Sequence, residues 1–228
     1  MVINGAKLAS MSEIGDMRVF ATKEDTRYNA EVAIKHGCHA IFGLKCYASY
    51  MKELIKGTGV ILEFSVCNNA GSDDTQVKVF GAKRYIEMGL DEVECYINIS
   101  YLKSKMYREA TADIRAIRDA MPKGMVLKVI IQTPLLTDGE ITTASKIVID
   151  GGANFVKTNN GEYGFTTVKH VELISKAIGK SGQIKASAPE KLDDIYSFLD
   201  IEGVTRFGFS TDVFLDFYAE AGKRSNAK

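Results

Sequence analysis

Three lysines and one glutamate stand where packing gives no reason for a charge. Lys128 in "VLKVII", Lys157 in "NFVKT" and Lys185 in "QIKAS" each interrupt a short apolar run, as Glu94 does in "DEVECYI". A charge among apolar neighbours costs several kcal/mol unless it is paired or neutralised. A single lysine of this kind could lay its stem along the core and reach solvent at a strand end. The three recur 29 and 28 residues apart, however, which puts one on each of three successive repeats. Ammonium groups set side by side disfavour each other's charge, so at least one is expected to be partly a neutral amine near neutral pH. A neutral amine attacks carbonyl carbon. The chemistry this predicts is Schiff-base catalysis: an iminium withdraws electrons from the adjacent carbon and stabilises the carbanion of an aldol cleavage or condensation. Glu94 would then move protons as acid or base, through water.

Residues so far apart in sequence meet only if their strands run parallel and end at one rim. From residue 38 onward, short β-prone runs alternate with longer amphipathic ones. The runs "CHAIFGL", "GVILEFSV", "DEVECYI", "MVLKVII", "ANFVKT", "GQIKAS" and "TRFGFS" read as strands, and "EIGDMRVFA" supplies a less obvious first one. Segments such as "KEDTRYNAEVAIKH", "DTQVKVFGAKRYIEM", "KMYREATADIRAIRDAM" and "TTVKHVELISKAI" repeat apolar residues at helical spacing. "GSDD" and "LTDGE" offer capping side chains, while Gly89 and Gly151 follow helices where a left-handed residue is needed. Strand then helix, repeated, predicts a parallel sheet. Eight such units in about 220 residues match an α/β fold of the (β/α)8 TIM-barrel type, one domain over residues 1–228, with a doubly wound open sheet as the alternative. An open sheet usually binds a nucleotide at a glycine-rich first turn, which this chain lacks. "GKS" from Gly179 closes a helix, and the earlier glycine of a P-loop falls at Ile174.

Hydrophobic residues make up 46% of the chain and charged residues 25%, an ordinary globular composition. Lys+Arg equal Asp+Glu at 29 each, so net charge selects neither nucleic acid nor an anionic membrane as partner. The start "MVINGAKLASMSEIGD" lacks the marks of a signal peptide, and no run approaches the roughly 20 apolar residues of a membrane span, so a cytoplasmic location is expected. Cys38, Cys46, Cys67 and Cys95 follow no disulfide framework and are expected to be reduced. "HGCH", with His36, Cys38 and His39 ahead of Cys46, has the residue types of a metal site but fits no zinc spacing.

Taken together, "DEVE", "LKVIIQT", "GGANFVKTNNG", "KAS" and "RFGFS" resemble the deoxyribose-phosphate aldolase family, whose sequences read DEVD, LKVIIET, GADFIKTSTG, KPAGGVR and RFGAS in the same order. The resemblance spans roughly residues 24 to 220 and is strongest from 89 to 162. It implies a (β/α)8 barrel and a class I aldolase acting on a small carbonyl or sugar substrate without metal or other cofactor. It also implies that Lys157 forms the Schiff base, that Lys185 lowers its pKa, that Lys128 is the counterpart of the family's strand-five lysine, and that Glu94 relays protons. Family barrels often pair as homodimers, although no residue here marks an interface.

The departures bear on the substrate. Glu94 is one methylene longer than the family's aspartate, and Gln132 replaces a glutamate. KTSTGK becomes "KTNNGE", which turns a lysine into Glu162, and KPAGGVR becomes "KASAPEK", which removes two glycines whose amides approach a phosphate. Phosphate binding relies on such amides and on cationic side chains, and a carboxylate nearby repels a phosphate by about 1 kcal/mol even in water-like surroundings. Gly208 and Ser210 persist in the third phosphate-binding segment; with Thr133, Asn160, Gly161, Glu162 and Ser187 they form the candidate substrate-contacting set. Asn68, with its neighbour Asn69 in "SVCNNAG", joins them as a partner for a substrate hydroxyl, with loop capping as the other reading, and Phe42 is expected to pack in the core. The family's tail, often ending in tyrosine, is replaced by "GKRSNAK". The expected activity is aldol cleavage or condensation of a small carbonyl compound with a weakened phosphate site. The alternatives are a catalytically silent relative that binds a metabolite or partner, and another Schiff-base lyase or transferase on the same barrel.

Overall fold

The computed structural model describes residues 3–226; Met1 and Val2 of the first segment and Ala227 and Lys228 of the tail lie outside it. Eight parallel strands among the described residues close in sequence order: β1 (Ser12–Gly15), β2 (Ala40–Phe42), β3 (Ile61–Ser65), β4 (Glu92–Tyr96), β5 (Leu127–Ile130), β6 (Phe155–Lys157), β7 (Gln183–Ser187) and β8 (Val204–Ser210). Because β8 pairs with β1, the sheet has no edge, and the open-sheet alternative falls. The helices are α1 (Gly5–Ser10), α2 (Lys23–His36), α3 (Ala48–Leu54), α4 (Thr75–Glu87), α5 (Ile99–Lys103), α6 (Tyr107–Ala120), α7 (Asp138–Asp150), α8 (Val168–Ile178), α9 (Leu192–Leu199) and α10 (Thr211–Asn226). No helix among the described residues is long and apolar enough to cross a membrane.

Local chemistry sets the helix ends. Thr137 caps α7 and forms a capping box with Glu140, and Asp74 caps α4 by accepting from the Gln76 N–H. Gly89 has φ +99°, as expected of a residue that ends a helix, but Gly151 does not: it stays right-handed at φ −68°, and Gly152 takes the left-handed turn at +89°. Gly151 still donates to the Ile147 carbonyl at 2.8 Å, so the left-handed turn falls one residue later than expected.

Strand alternation sorts the barrel into two cores. Val93, Cys95, Val129, Val156, Ile184 and Ala186 are fully buried and face the helices. The interior is different. TIM barrels fill theirs with layers of four side chains from alternate strands, mostly branched and apolar. Here the odd strands contribute Glu13, Glu63, Lys128 and Lys185 to one layer, all at zero exposure. The register shows the layering: these four pair with Ala40, Glu92, Phe155 and Arg206 on one side. On the other side Glu13 pairs with Gly208, Lys128 with Glu94 and Lys185 with Lys157, one layer nearer the C-terminal mouth.

The layer is neutral and fully paired. Lys128 reaches Glu13 at 2.6 Å and Glu63 at 2.9 Å, and extends down to Glu92 at 2.7 Å. Lys185 contacts Glu13, reaches Glu63 at 2.6 Å and extends up to Glu94 at 2.7 Å. Burial alone would raise the Glu13 carboxyl, but the two ammoniums overcome it and hold its pKa at about 2 instead of 4.5. A depressed acid stabilises the fold above its unfolded pKa, and that stability is lost as pH falls through the folded value. Wild-type stability is therefore expected to fall on the order of 3 kcal/mol further than that of Glu13→Gln as pH drops from 4.5 toward 2. Urea unfolding of both proteins across that range measures the difference.

Candidate active site

The layer above the charged floor opens to solvent at the C-terminal mouth. β6 ends on Lys157 and β4 carries Glu94, and they meet at 2.7 Å between Lys157 Nζ and Glu94 Oε2. Glu94 Oε1 is held from below by Lys185, also at 2.7 Å, so one carboxylate bridges two lysines in adjacent layers. The lysines differ in their surroundings. Lys185 has three carboxylates around it; burial would lower its pKa, but Glu13, Glu63 and Glu94 raise it well above 10.5. Lys157 is almost equally buried with Glu94 as its ion pair, and its pKa is lowered, first by burial and further by the Lys185 charge. Lys128 is also raised, because Glu13 and Glu63 outweigh its burial.

Lys157 and Glu94 open into a cavity of about 420 Å³. Tyr96, two residues beyond Glu94 and so on the same face of β4, also lines it, and burial keeps its phenol protonated well above the usual range. Phe42 packs against the core as expected and also lines the cavity, its ring centre 5.9 Å from both Lys157 Nζ and Lys185 Nζ.

Of the sequence candidates, Asn160, Gly161, Ser187, Gly208 and Ser210 line the cavity with Glu94 and Lys157. Lys185 lies beneath it, and Lys128 one layer from Lys157, beside Phe155 in register instead of beside Lys157. Three candidates sit elsewhere. The Asn68 amide donates to Asp73 at 2.7 Å and its oxygen accepts from Ala70 and Ser72, so it caps its loop, and the adjacent Asn69 lines the cavity instead. Thr133 is buried at the turn after β5, where its N–H donates to the Thr158 carbonyl. Glu162 points sideways and accepts from Asn69 at 2.9 Å and from Asn160 at 3.3 Å.

Asn160 organises this loop. Its oxygen accepts from Gln132 Nε2 at 3.1 Å and from the Glu162 N–H at 3.1 Å, while its amide donates to Tyr96 Oη at 3.0 Å. Asn159 likewise accepts from the Gly161 N–H at 2.8 Å. Gln132, left-handed at φ 56° and wholly buried, is held in this exchange. Gly208 makes room for Ser187, since a Cβ there would stand 2.4 Å from Ser187 Oγ. That hydroxyl is buried at the cavity wall without a partner.

Sequence reading missed Glu13, Glu63 and Tyr96, while Asn69, named there beside Asn68, does line the cavity. Tyr96 carried a usable signal in its spacing of two from Glu94. Oxygens of Glu13, Glu63 and Glu94 lie within 4.8 Å of one another, as do ligand atoms of Glu13, His39 and Glu92. The ammoniums of Lys128 and Lys185 already stand among these carboxylates, so a metal ion would meet cations where it needs ligands. "HGCH" does not converge: His36 packs edge-on against Tyr218 with ring centres 4.4 Å apart, while His39 faces Glu92 at 3.5 Å.

The family model for DeoC/LacD family aldolases matches residues 10–200. A deoxyribose-phosphate aldolase of Finegoldia magna is 38% identical over 75% of this chain and 80% of its own length. One from Sinorhizobium medicae is 34% identical over 92% of this chain and 85% of its own. Among solved structures, a putative deoxyribose-phosphate aldolase from Coccidioides immitis superposes with a TM-score of 0.87 at 26% identity, covering 95% of this chain and 87% of that one. A family match over most of the chain, relatives above 30% identity and a shared closed barrel agree, and the chain belongs to the DeoC/LacD family of aldolases.

Proposed function

We propose that this aldolase works through a Schiff base on Lys157, with Glu94 as its proton carrier and a substrate that carries no phosphate. The observation that supports the first part is the buried Lys157 amine, lowered in pKa and 2.7 Å from Glu94, at the wall of an open cavity. The neutral amine attacks the donor carbonyl, the carbinolamine loses water, and the resulting iminium acidifies the neighbouring carbon. Glu94 accepts that carbon's proton, giving an enamine. The enamine carbon then bonds to the carbonyl carbon of an acceptor aldehyde, whose oxygen takes the proton back from Glu94. Water hydrolyses the iminium and frees the amine; cleavage runs the same steps in reverse. Lys185 stays charged below Glu94 and keeps it anchored, while Lys128 balances Glu13 and Glu63.

The second part rests on the loops. The Gly161 and Glu162 amides, placed to meet an anion, donate to Asn159 and Asn160 instead. Pro189 has no N–H, Ala188 donates to the Gly208 carbonyl, and Glu190 and Lys191 both donate to Asp194. The relatives' names specify deoxyribose phosphate; the loops after β6 and β7 offer that anion few free donors. A cytoplasmic setting fits the four free cysteines, three of them buried.

Incubation with acetaldehyde followed by borohydride is expected to add the reduced adduct to Lys157 and to nothing in Lys157→Ala; an unmodified wild-type protein under a series of small aldehydes and ketones sinks the Schiff-base reading. Because attack needs the neutral amine, kcat/KM should rise with pH and level off below 10.5, the usual lysine value. Glu63→Gln tests the floor. Removing one partner of a buried pair costs about 3–5 kcal/mol, to be read by urea unfolding. Glu63 is also among the carboxylates that hold the Lys157 pKa up, so the midpoint of the pH profile should shift downward in the variant.

A further inference from the structure

The cavity has two unlike ends. Next to β4 it gathers its polar groups, with Glu94, Tyr96, Asn69 and Asn160 around Lys157, although Phe42 and Phe64 of β2 and β3 line it too. On the side of β7, β8 and the loop after β1, where TIM barrels commonly hold a phosphate, the wall is Met17, Phe165, Ala188, Pro189, Phe209 and Val213. Three of these are large apolar side chains left open to solvent: Met17 is 51% exposed, Phe165 55% and Val213 38%. Apolar side chains gathered at the lip of one cavity, next to a reactive amine, mark a surface that a ligand covers. Apart from Lys157, no lysine or arginine lines the cavity among the described residues. Arg18 lies in the adjoining depression, where it is committed to Asp16 at 2.8 Å and to Asp25 at 3.4 Å. The polar offerings nearest this end are the unpartnered Ser187 hydroxyl and Ser210 and, in the adjoining depression, the unpartnered Thr211 hydroxyl at the start of α10.

We infer that the acceptor is an aldehyde bearing an uncharged apolar group, alkyl or aromatic, which lies against Phe165, Val213, Phe209 and Met17 while its carbonyl oxygen takes the Ser187 hydroxyl. The inference rests on the Schiff-base reading, which supplies the enamine that attacks this aldehyde. The new carbon–carbon bond joins the enamine carbon to the aldehyde carbon, and the former carbonyl oxygen gains the proton that Glu94 removed from the donor. The product is a 3-hydroxyaldehyde with an apolar substituent at the hydroxyl-bearing carbon, and no oxidant or further reactant is consumed.

The test compares acceptors with acetaldehyde as donor. Benzaldehyde and 2,2-dimethylpropanal have no α-hydrogen, so they serve only as acceptors, and D-glyceraldehyde 3-phosphate supplies the anionic case. Products are measured by mass spectrometry, and acetaldehyde self-addition is followed in the same assays. The apolar aldehydes are expected to show kcat/KM at least about ten-fold above the phosphate. Phe165→Ser should lower the apolar values by about ten-fold or more while the borohydride-trapped acetaldehyde adduct on Lys157 forms as in wild type. Val213→Lys should narrow or reverse the preference. A wild-type preference for D-glyceraldehyde 3-phosphate, or a Phe165→Ser variant that keeps its apolar kcat/KM, overturns the inference and leaves the Schiff base standing. Absence of the acetaldehyde adduct in wild type overturns both.

Discussion

Two ammonium groups and two carboxylates share one fully buried layer across the barrel, and they must be neutral together. Isolated, any one of them would be driven to its uncharged form. Paired, each lysine meets both Glu13 and Glu63 and has one donor left over. Those spare donors leave the layer in opposite directions: Lys128 goes down to Glu92 and Lys185 up to Glu94. The upward bond reaches the reactive layer. It fixes Glu94 by one oxygen and leaves the other for Lys157. The contrast in pKa follows from contacts: at like burial Lys185 touches three carboxylates and Lys157 touches one, with the Lys185 charge opposing it, so the first is held charged and the second is pushed toward its neutral form. Apolar residues of similar volume would fill such a layer at no loss of stability, and often at a gain. A floor made of charge is better understood as the support of Glu94 than as a source of stability.

The lysines were legible in sequence because each breaks an apolar run and because their even spacing matches the strand and helix repeat. The fold was legible for the same reason. Their heights were not. Spacing along the chain says which strand a residue is on, but strand tilt decides its level: Lys128 and Lys185 share the floor, while Lys157 stands one layer nearer the mouth beside Glu94. The carboxylates of the floor were hidden differently. Glu63 alternates with Leu62 and Phe64, and Glu13 sits in a four-residue strand next to Ser12, so both read as ordinary half-exposed strand positions. Closure of the barrel turns that alternation inward, and closure is a property of all eight strands at once. The cause of the shift at Lys157 changed too: burial leads, with the Lys185 charge adding to it.

Loops were read less well, because a polar side chain in a loop can serve the loop or the ligand and sequence does not choose. Asn68 and Asn69 are adjacent and chemically identical, yet Asn68 is consumed by Asp73, Ala70 and Ser72 while Asn69 faces the cavity. Glu162 was singled out as a charge hostile to phosphate. Its carboxylate instead ties the loop after β3 to the loop after β6 through Asn69. In the proposed reading the stronger obstacle to an anion is Asn159 and Asn160, whose oxygens accept from the Gly161 and Glu162 amides. A hydrogen bond already made inside the protein must be broken before a ligand can use its donor, and a buried group left unpaired in the exchange costs about 1–3 kcal/mol.

The two ends of the cavity are linked through the amine between them. Lys157 is lowered first by burial, so whatever keeps its surroundings apolar keeps it nucleophilic. An anion lodged in the β7–β8 arm would act in the opposite sense and favour the ammonium. An alkyl or aromatic group against Phe165, Phe209 and Val213 excludes water from the same space and adds no charge. On the proposed reading the apolar wall both selects the acceptor and sustains the protonation state of Lys157 that begins the reaction. The charged floor beneath does not compete with it, because its cations are already matched by Glu13, Glu63, Glu92 and Glu94.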